Sequence, residues 1–152
     1  MRSGSGPLDQ IVQIGIVVED IDQAVQAWSR LLGMEPSSII VTDPEEIAHT
    51  RYEDQPTPAR AKLAFFDLGR IVLELIQPLG KPSTWSDYLS AHGPGLHHVA
   101  FEVQGMEECI RELGLRVIQR GEYTGGRYAY LDGQQPLGAI IELLENERIG
   151  AR

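Results

Sequence analysis

QIGIVVEDIDQAV (13–25) and HVAFEVQGMEECI (98–110) carry one pattern twice. Each begins as an apolar, largely β-branched run with period-two faces, crosses a polar corner, and continues with apolar residues at helical spacing. A strand running into a helix accounts for both. In the first copy Asp20 and Asp22 are side chains that cap helix starts. Ile21, Ala24, Val25, Trp28, Leu31 and Leu32 then recur on one face, and Gly33 supplies a left-handed stop. In the second copy Met106, Cys109, Ile110 and Leu113 share a face, and Gly114 is the matching stop. A further pair of matching segments, IVLELI (71–76) and AIIELL (139–144), makes the chain a duplicated unit.

Working outward, AKLAFFDLG (61–69) and RIVLELIQP (70–78) read as two strands joined by a turn at 67–70. LRVIQRG (115–121), RYAYLDG (127–133) and LGAIIELLE (137–145) read as three more. The expected fold is α+β: a βαβββ repeat over 10–78, a linker over 79–94 with a short helical stretch near Trp85 to Leu89, and a second βαβββ repeat over 95–146, forming one domain. Residues 35–60, with four prolines and the acidic DPEE, suit an irregular strand-loop excursion. Residues 1–9 show no periodicity and are expected to be disordered, and 147–152 form a tail. GGR at 125–127 lacks the spacing and following helix of a phosphate cradle, and is read as a turn over the pocket.

The bulk numbers narrow the function. A chain of 152 residues, 42% hydrophobic and 23% charged, suits one globular domain. Thirteen Lys and Arg against 22 Asp and Glu give a net charge of −9, which repels a polyphosphate backbone or an anionic membrane. The apolar runs fall far short of the ~20 residues that span a bilayer, and MRSGSGPLDQ lacks the apolar core of a signal peptide, so a soluble cytoplasmic protein is expected. Cys109 is the lone cysteine, which excludes an internal disulfide and a Cys-rich zinc site and reads as core.

Four polar residues interrupt these strands at equivalent places in the repeat. Gln13 lies between Ile11 and Gly15, and His98 between Leu96 and Ala100. Glu74 lies between Val72 and Ile76, and Glu142 between Ile140 and Leu144. Taken singly, a glutamate can face solvent on a half-exposed sheet and a histidine can be satisfied by backbone. His97 and His98 are adjacent, so only one is expected to point inward. An unpaired ionised carboxylate among apolar neighbours costs at least several kcal/mol, so two on core-facing positions call for a cation or charged donor. One divalent ion held by Gln13, Glu74, His98 and Glu142 satisfies all four at once. A pseudo-twofold fold would bring them together.

These blocks resemble the vicinal oxygen chelate superfamily, which includes glyoxalases, bleomycin-resistance proteins and extradiol dioxygenases. IGIVVEDIDQAV, DLGRIVLELIQPLG, HGPGLHHVAFEV and GAIIELLE bring its methylmalonyl-CoA epimerase-like branch closest. The resemblance implies a half-open barrel and a metal (Co, Mn, Ni, Zn or Fe) on Gln13, Glu74, His98 and Glu142. It also implies an epimerase or isomerase that abstracts a proton next to a carbonyl, with Glu142 as base and a small-molecule substrate such as an acyl-CoA thioester. Lys62, where the branch commonly carries a second acid, is a candidate for the second proton transfer, together with Tyr123, Tyr128 and Tyr130. Gln13 replaces the usual His by a weaker amide oxygen, and DGQQPLG replaces a His-Pro-Lys segment. Those departures keep open a small-molecule-sequestering protein of the same fold, while a lactoylglutathione lyase-like enzyme is a further alternative. Half-barrels of this type bury their open edge by pairing, so a homodimer is expected.

Overall fold

The computed structural model describes residues 6–148, and no helix among them is long and apolar enough to cross a membrane. The first repeat runs β1 (Ile11–Val17), α1 (Ile21–Leu32), β2 (Ser38–Val41), β5 (Arg60–Asp67) and β6 (Val72–Leu79). The excursion between β2 and β5 contributes a short α2 (Glu45–Ala48) and the two-residue strands β3 (Arg51–Tyr52) and β4 (Gln55–Pro56). After α3 (Thr84–His92) the second repeat runs β7 (Gly95–Glu102), α4 (Met106–Leu113), β8 (Val117–Tyr123), β9 (Gly126–Leu131), the short α5 (Gln134–Leu137) and β10 (Ile140–Asn146). The expected pair of βαβββ units is present.

All ten strands among the described residues form one curled, half-open sheet in the order β2-β5-β6-β1-β7-β10-β9-β8-β3-β4. β1 and β7 meet antiparallel at the middle, and each runs parallel to the last strand of its own repeat, β6 and β10. The β3–β4 hairpin belongs to the first repeat by sequence, yet β3 pairs with β8 at the far edge of the second. A segment expected to be a surface excursion therefore links both ends of the sheet.

α1 and α4 cover the convex face. Asp20 caps α1 by accepting from the amides of Asp22 and Gln23, and Gly33 ends it at φ 67°. α4 lacks a capping side chain of its own. Instead, the Glu145 carboxylate on β10 accepts from the amides of Gly105 and Met106, placing an anion at the positive helix end. Ile21 of α1 packs on Ala64, Phe66, Leu73 and Leu75 of the sheet, and Met106 and Cys109 of α4 pack on Ala129, Leu131, Ile141 and Leu143. Each fully buried Phe or Leu in these layers stabilises the fold by roughly 1.5–3 kcal/mol. Cys109 is free and buried, as read from its helical position.

The stretch expected to be a linker is mostly α3, which extends beyond Trp85 to Leu89 at both ends. Ser83 caps it in a reciprocal capping box with Ser86. α3 plugs one end of the concave face: Trp85 packs with Val17, Ile76, Tyr130 and Ile140. At the N-terminus, Leu8 packs against the core of the second repeat, so ordered packing begins before Gln10. The expectations for residues 1–5 and 149–152 lie outside the described residues.

Candidate functional site

The register of the two central strands places the four polar residues. Gly15 on β1 is flanked by Glu74 on β6 and His98 on β7. Ala100 on β7 is flanked by Gln13 on β1 and Glu142 on β10. Gly15 and Ala100 are equivalent in the repeat, so each small residue makes room for one carboxylate and one further donor. All four polar side chains are buried, with 2–8% of their surface exposed.

They converge on one atom. His98 Nε2 stands 3.0 Å from Gln13 Oε1, 3.2 Å from Glu142 Oε1 and 3.6 Å from Glu74 Oε1. The Oε1 atoms of Glu74 and Glu142 are buried without a hydrogen-bond partner. His98 reaches this point because β1 has no side chain beneath its ring. A Cβ on Gly15 would stand 2.1 Å from His98 Cε1 and 2.5 Å from both ring nitrogens. Ala100 faces the slimmer Gln13, where a methyl is tolerated. Sequence reasoning noted Gly15 only as a neighbour of Gln13, and its need to be glycine depends on the cross-strand contact.

The reading of the adjacent histidines requires correction. Gly15 pairs with His98 and Ile16 with Leu96, so a bulge leaves His97 as an extra residue on β7. Both histidines are consequently buried, and their Nδ1 atoms face each other at 2.9 Å. The same bulge moves Leu96 off the His98 face, where it is 67% exposed.

Lys62 also requires correction. On β5, Leu63 and Phe65 line the cavity, whereas Lys62 is on the alternate, convex side. Its ammonium stands 3.7 Å from Asp22 of α1. Lys62 is therefore removed from the proton-transfer candidates. Tyr130 is occupied by packing, its hydroxyl accepting from Trp85 Nε1 at 3.0 Å. Tyr128 accepts from Gln119 Nε2 at 3.0 Å, and Tyr123 donates to Asn146 Oδ1 at 2.6 Å. These last two do line the cavity.

That cavity, about 580 Å³, opens beyond the four residues. Gln13, Glu74 and Glu142 form its polar floor, and Ile40, Val41, Leu63, Phe65 and Leu144 its apolar walls. Thr124 contributes to the rim beside Gly125, which turns the chain between β8 and β9 at φ 91°. Of the stretch 125–127 read from sequence as a turn over the pocket, only Gly125 lies in the turn; Gly126 and Arg127 open β9, and none of the three lines this cavity.

Burial raises the Glu74 carboxyl to about 8, with His98 opposing the rise and Glu142 adding to it. Burial also disfavours charge on His98, but the adjacent Glu142 carboxylate, helped by Glu74, outweighs it and lifts the ring above its ordinary value. His97 moves the other way: burial and the neighbouring His98 hold it well below the usual imidazole range. Burial, reinforced by Glu142 and Glu74, raises the hydroxyls of Tyr123, Tyr128 and Tyr130, which remain protonated at neutral pH.

The donor set suits a divalent cation. Two ligands about 2.1 Å from one ion at right angles stand about 3 Å apart, close to the separations of His98 from Gln13 and Glu142. The Glu74 oxygen is wider by a few tenths of an ångström, and among the described residues no group of three or more His, Cys, Asp and Glu is arranged as a ready metal cage. The fit rests on two partnerless buried carboxylate oxygens aimed at one nitrogen.

A duplicated half-barrel with its polar residues gathered at the junction of the repeats defines a class. Residues 12–130 match the Glyoxalase/Bleomycin resistance protein/Dioxygenase superfamily, and the chain belongs to that family. It is 27% identical over 144 residues to the uncharacterized protein YqjC of Bacillus subtilis, covering 91% of this chain and 93% of that protein. Identity to human mitochondrial methylmalonyl-CoA epimerase is 25% over 129 residues, covering 77% of this chain and 65% of the human protein. The chain thus spans just under two thirds of the human protein's length. The fold matches that of methylmalonyl-CoA epimerase from Mycobacterium tuberculosis with a TM-score of 0.67 at 20% identity, covering 97% of this chain and 94% of that one.

Proposed function

We propose that this protein is a metal-dependent epimerase or isomerase that removes a proton from a carbon beside a carbonyl. The observation that carries the proposal is the convergence of Gln13, Glu74 and Glu142 on His98 Nε2 at the floor of a cavity with apolar walls. Similarity to epimerases supports it. Gln13 Oε1, Glu74, His98 Nε2 and Glu142 would hold the ion, which when bound supplies Lewis-acid stabilisation of charge developing on the carbonyl oxygen.

The chain's own residues do the rest. Leu63, Phe65 and Leu144 exclude water from the floor, which strengthens electrostatic interactions there. Glu142 takes the substrate proton through its cavity-facing carboxylate and can return it once the carbon has flattened; inversion through this one base requires the carbon to turn its other face toward Glu142. Tyr123 and Tyr128, both held protonated and both lining the cavity, are candidates for returning a proton to the substrate carbon. An acyl-CoA thioester, the substrate named by the epimerases, is the first compound to test, and a homodimer is proposed as the assembly.

The test is metal content after purification, followed by calorimetric titration of Co, Mn, Ni and Zn into stripped wild type and His98→Ala. Stoichiometric binding lost in the variant, with metal-dependent solvent deuterium exchange into methylmalonyl-CoA, is the expected result. Absence of binding at ~100 μM metal, weaker than a functional site requires, would overturn the proposal and favour a sequestering protein, the reading that Gln13 supports.

A further inference from the structure

Duplication accounts for His98 and leaves His97 unexplained. Its counterpart beside Gln13 is Val12, a half-buried aliphatic residue. On β7 the bulge brings His97 to the concave side, where only 2% of it is exposed. Its ring is held edge-on between Tyr88 of α3 and Tyr130 of β9, with centroids 5.6 and 5.0 Å away. The aromatic contacts fix the ring's orientation, and that orientation presents Nδ1 to the Nδ1 of His98 at 2.9 Å.

Two nitrogens facing each other at this distance share one hydrogen: one must donate and the other accept. If His98 Nε2 uses its lone pair on an ion, the hydrogen of its neutral ring is confined to Nδ1, and His97 must accept it. His97 then carries its own hydrogen on Nε2. That Nε2 is buried, without a partner at full hydrogen-bond geometry.

We propose that His97 is a positioning residue whose Nδ1 accepts the His98 Nδ1 hydrogen, fixing the ring with Nε2 toward Gln13, Glu74 and Glu142. This extends the metal-site reading above from the residues that would hold the ion to the one that orients them. Partners behind metal-binding histidines typically change affinity by about 10- to 100-fold when removed. His97 is thus expected to contribute to metal affinity without touching ion or substrate.

The test begins with nitrogen-15 NMR of the histidine rings in metal-free and zinc-titrated protein. His97 is expected to be neutral in both, with hydrogen on Nε2 and a bare Nδ1. His97→Phe preserves an aromatic ring between Tyr88 and Tyr130 but removes the acceptor, and should weaken zinc binding about 10- to 100-fold. His97→Gln, which offers an amide oxygen, should recover most of the loss. A hydrogen on His97 Nδ1, or equal zinc affinity in His97→Phe and wild type, would overturn the proposal. If His97→Phe fails to fold, the glutamine variant and the ring spectra decide. Absence of zinc binding in wild type would sink the metal-site reading, while the spectra of the metal-free protein would still decide the role of His97.

Discussion

Replacing Gly15 by alanine is the smallest change that tests the geometry of the site. The added methyl would stand 2.1 Å from His98 Cε1. Favourable non-bonded carbon contacts lie at about 3.5–4.0 Å, so the imidazole must retreat by more than about 1 Å. Overpacking of this kind costs about 1–3 kcal/mol of stability. The functional effect is larger because preorganised sites tolerate misplacement of only about 0.5 Å. A displaced ring takes Nε2 away from Gln13, Glu74 and Glu142, and roughly a 100-fold loss of activity is expected, a typical consequence of a 1 Å error. Urea denaturation measures the stability cost, and calorimetric titration with Mn or Zn measures the site. Ala100→Gly is the control at the equivalent position, removing a methyl where Gln13 needs no such clearance. Wild-type metal affinity and stability in Gly15→Ala would refute the contact on which the site is built.

Other expectations follow from the same geometry. Glu74 and His98 both have raised pKa values, so their stabilising contributions are complete below their unfolded values near 4.5 and 6.5 and are lost as pH rises through their folded values. The depressed His97 acts oppositely, but only below its unfolded value of 6.5. Metal-free protein should therefore become easier to denature with urea between pH 6.5 and 8, with a smaller decline in Glu74→Gln; a rise in wild-type stability would contradict the assignment. Added divalent metal should raise the melting temperature more at pH 8 than at pH 6.5, because binding displaces protons from the same groups. Glu142→Gln should lower substrate deuterium exchange by about 10²–10⁴-fold, and measuring exchange at saturating metal separates proton transfer from metal loss. Lys62→Ala, which breaks only a convex-face contact to Asp22, should stay within about 0.5 kcal/mol of wild type and retain exchange activity; a large loss would return Lys62 to the site.

The duplicated strand and helix patterns were legible because their periods differ and each helix ends in glycine. The four converging side chains were legible for a related reason: each interrupts an apolar strand face at an equivalent position. What escaped depended on register. A bulge at His97 reverses the alternation of β7, turning Leu96 outward and admitting two adjacent histidines to one side. No local pattern announces that shift, since it reflects pairing with β1. Lys62 was misplaced because family position was favoured over alternation: Leu63 and Phe65 already marked the concave face of β5, which put Lys62 on the other. The β3–β4 hairpin is too short for periodicity to detect, and its partner lies in the other repeat.

That hairpin bears on how the chain can assemble. A cut between the repeats would leave the first half carrying edge strands whose partner, β8, had gone with the second half. The duplication therefore does not divide into two self-sufficient folding units. The central contact is also remote in sequence: Gln13 and His98 meet across a separation of 85 positions. Closing so long a loop before its contacts can compensate slows folding. Helices α1 and α4 can form on their own repeats early, but the pocket can exist only after β1 and β7 have met, making the chemical centre one of the last features to be completed.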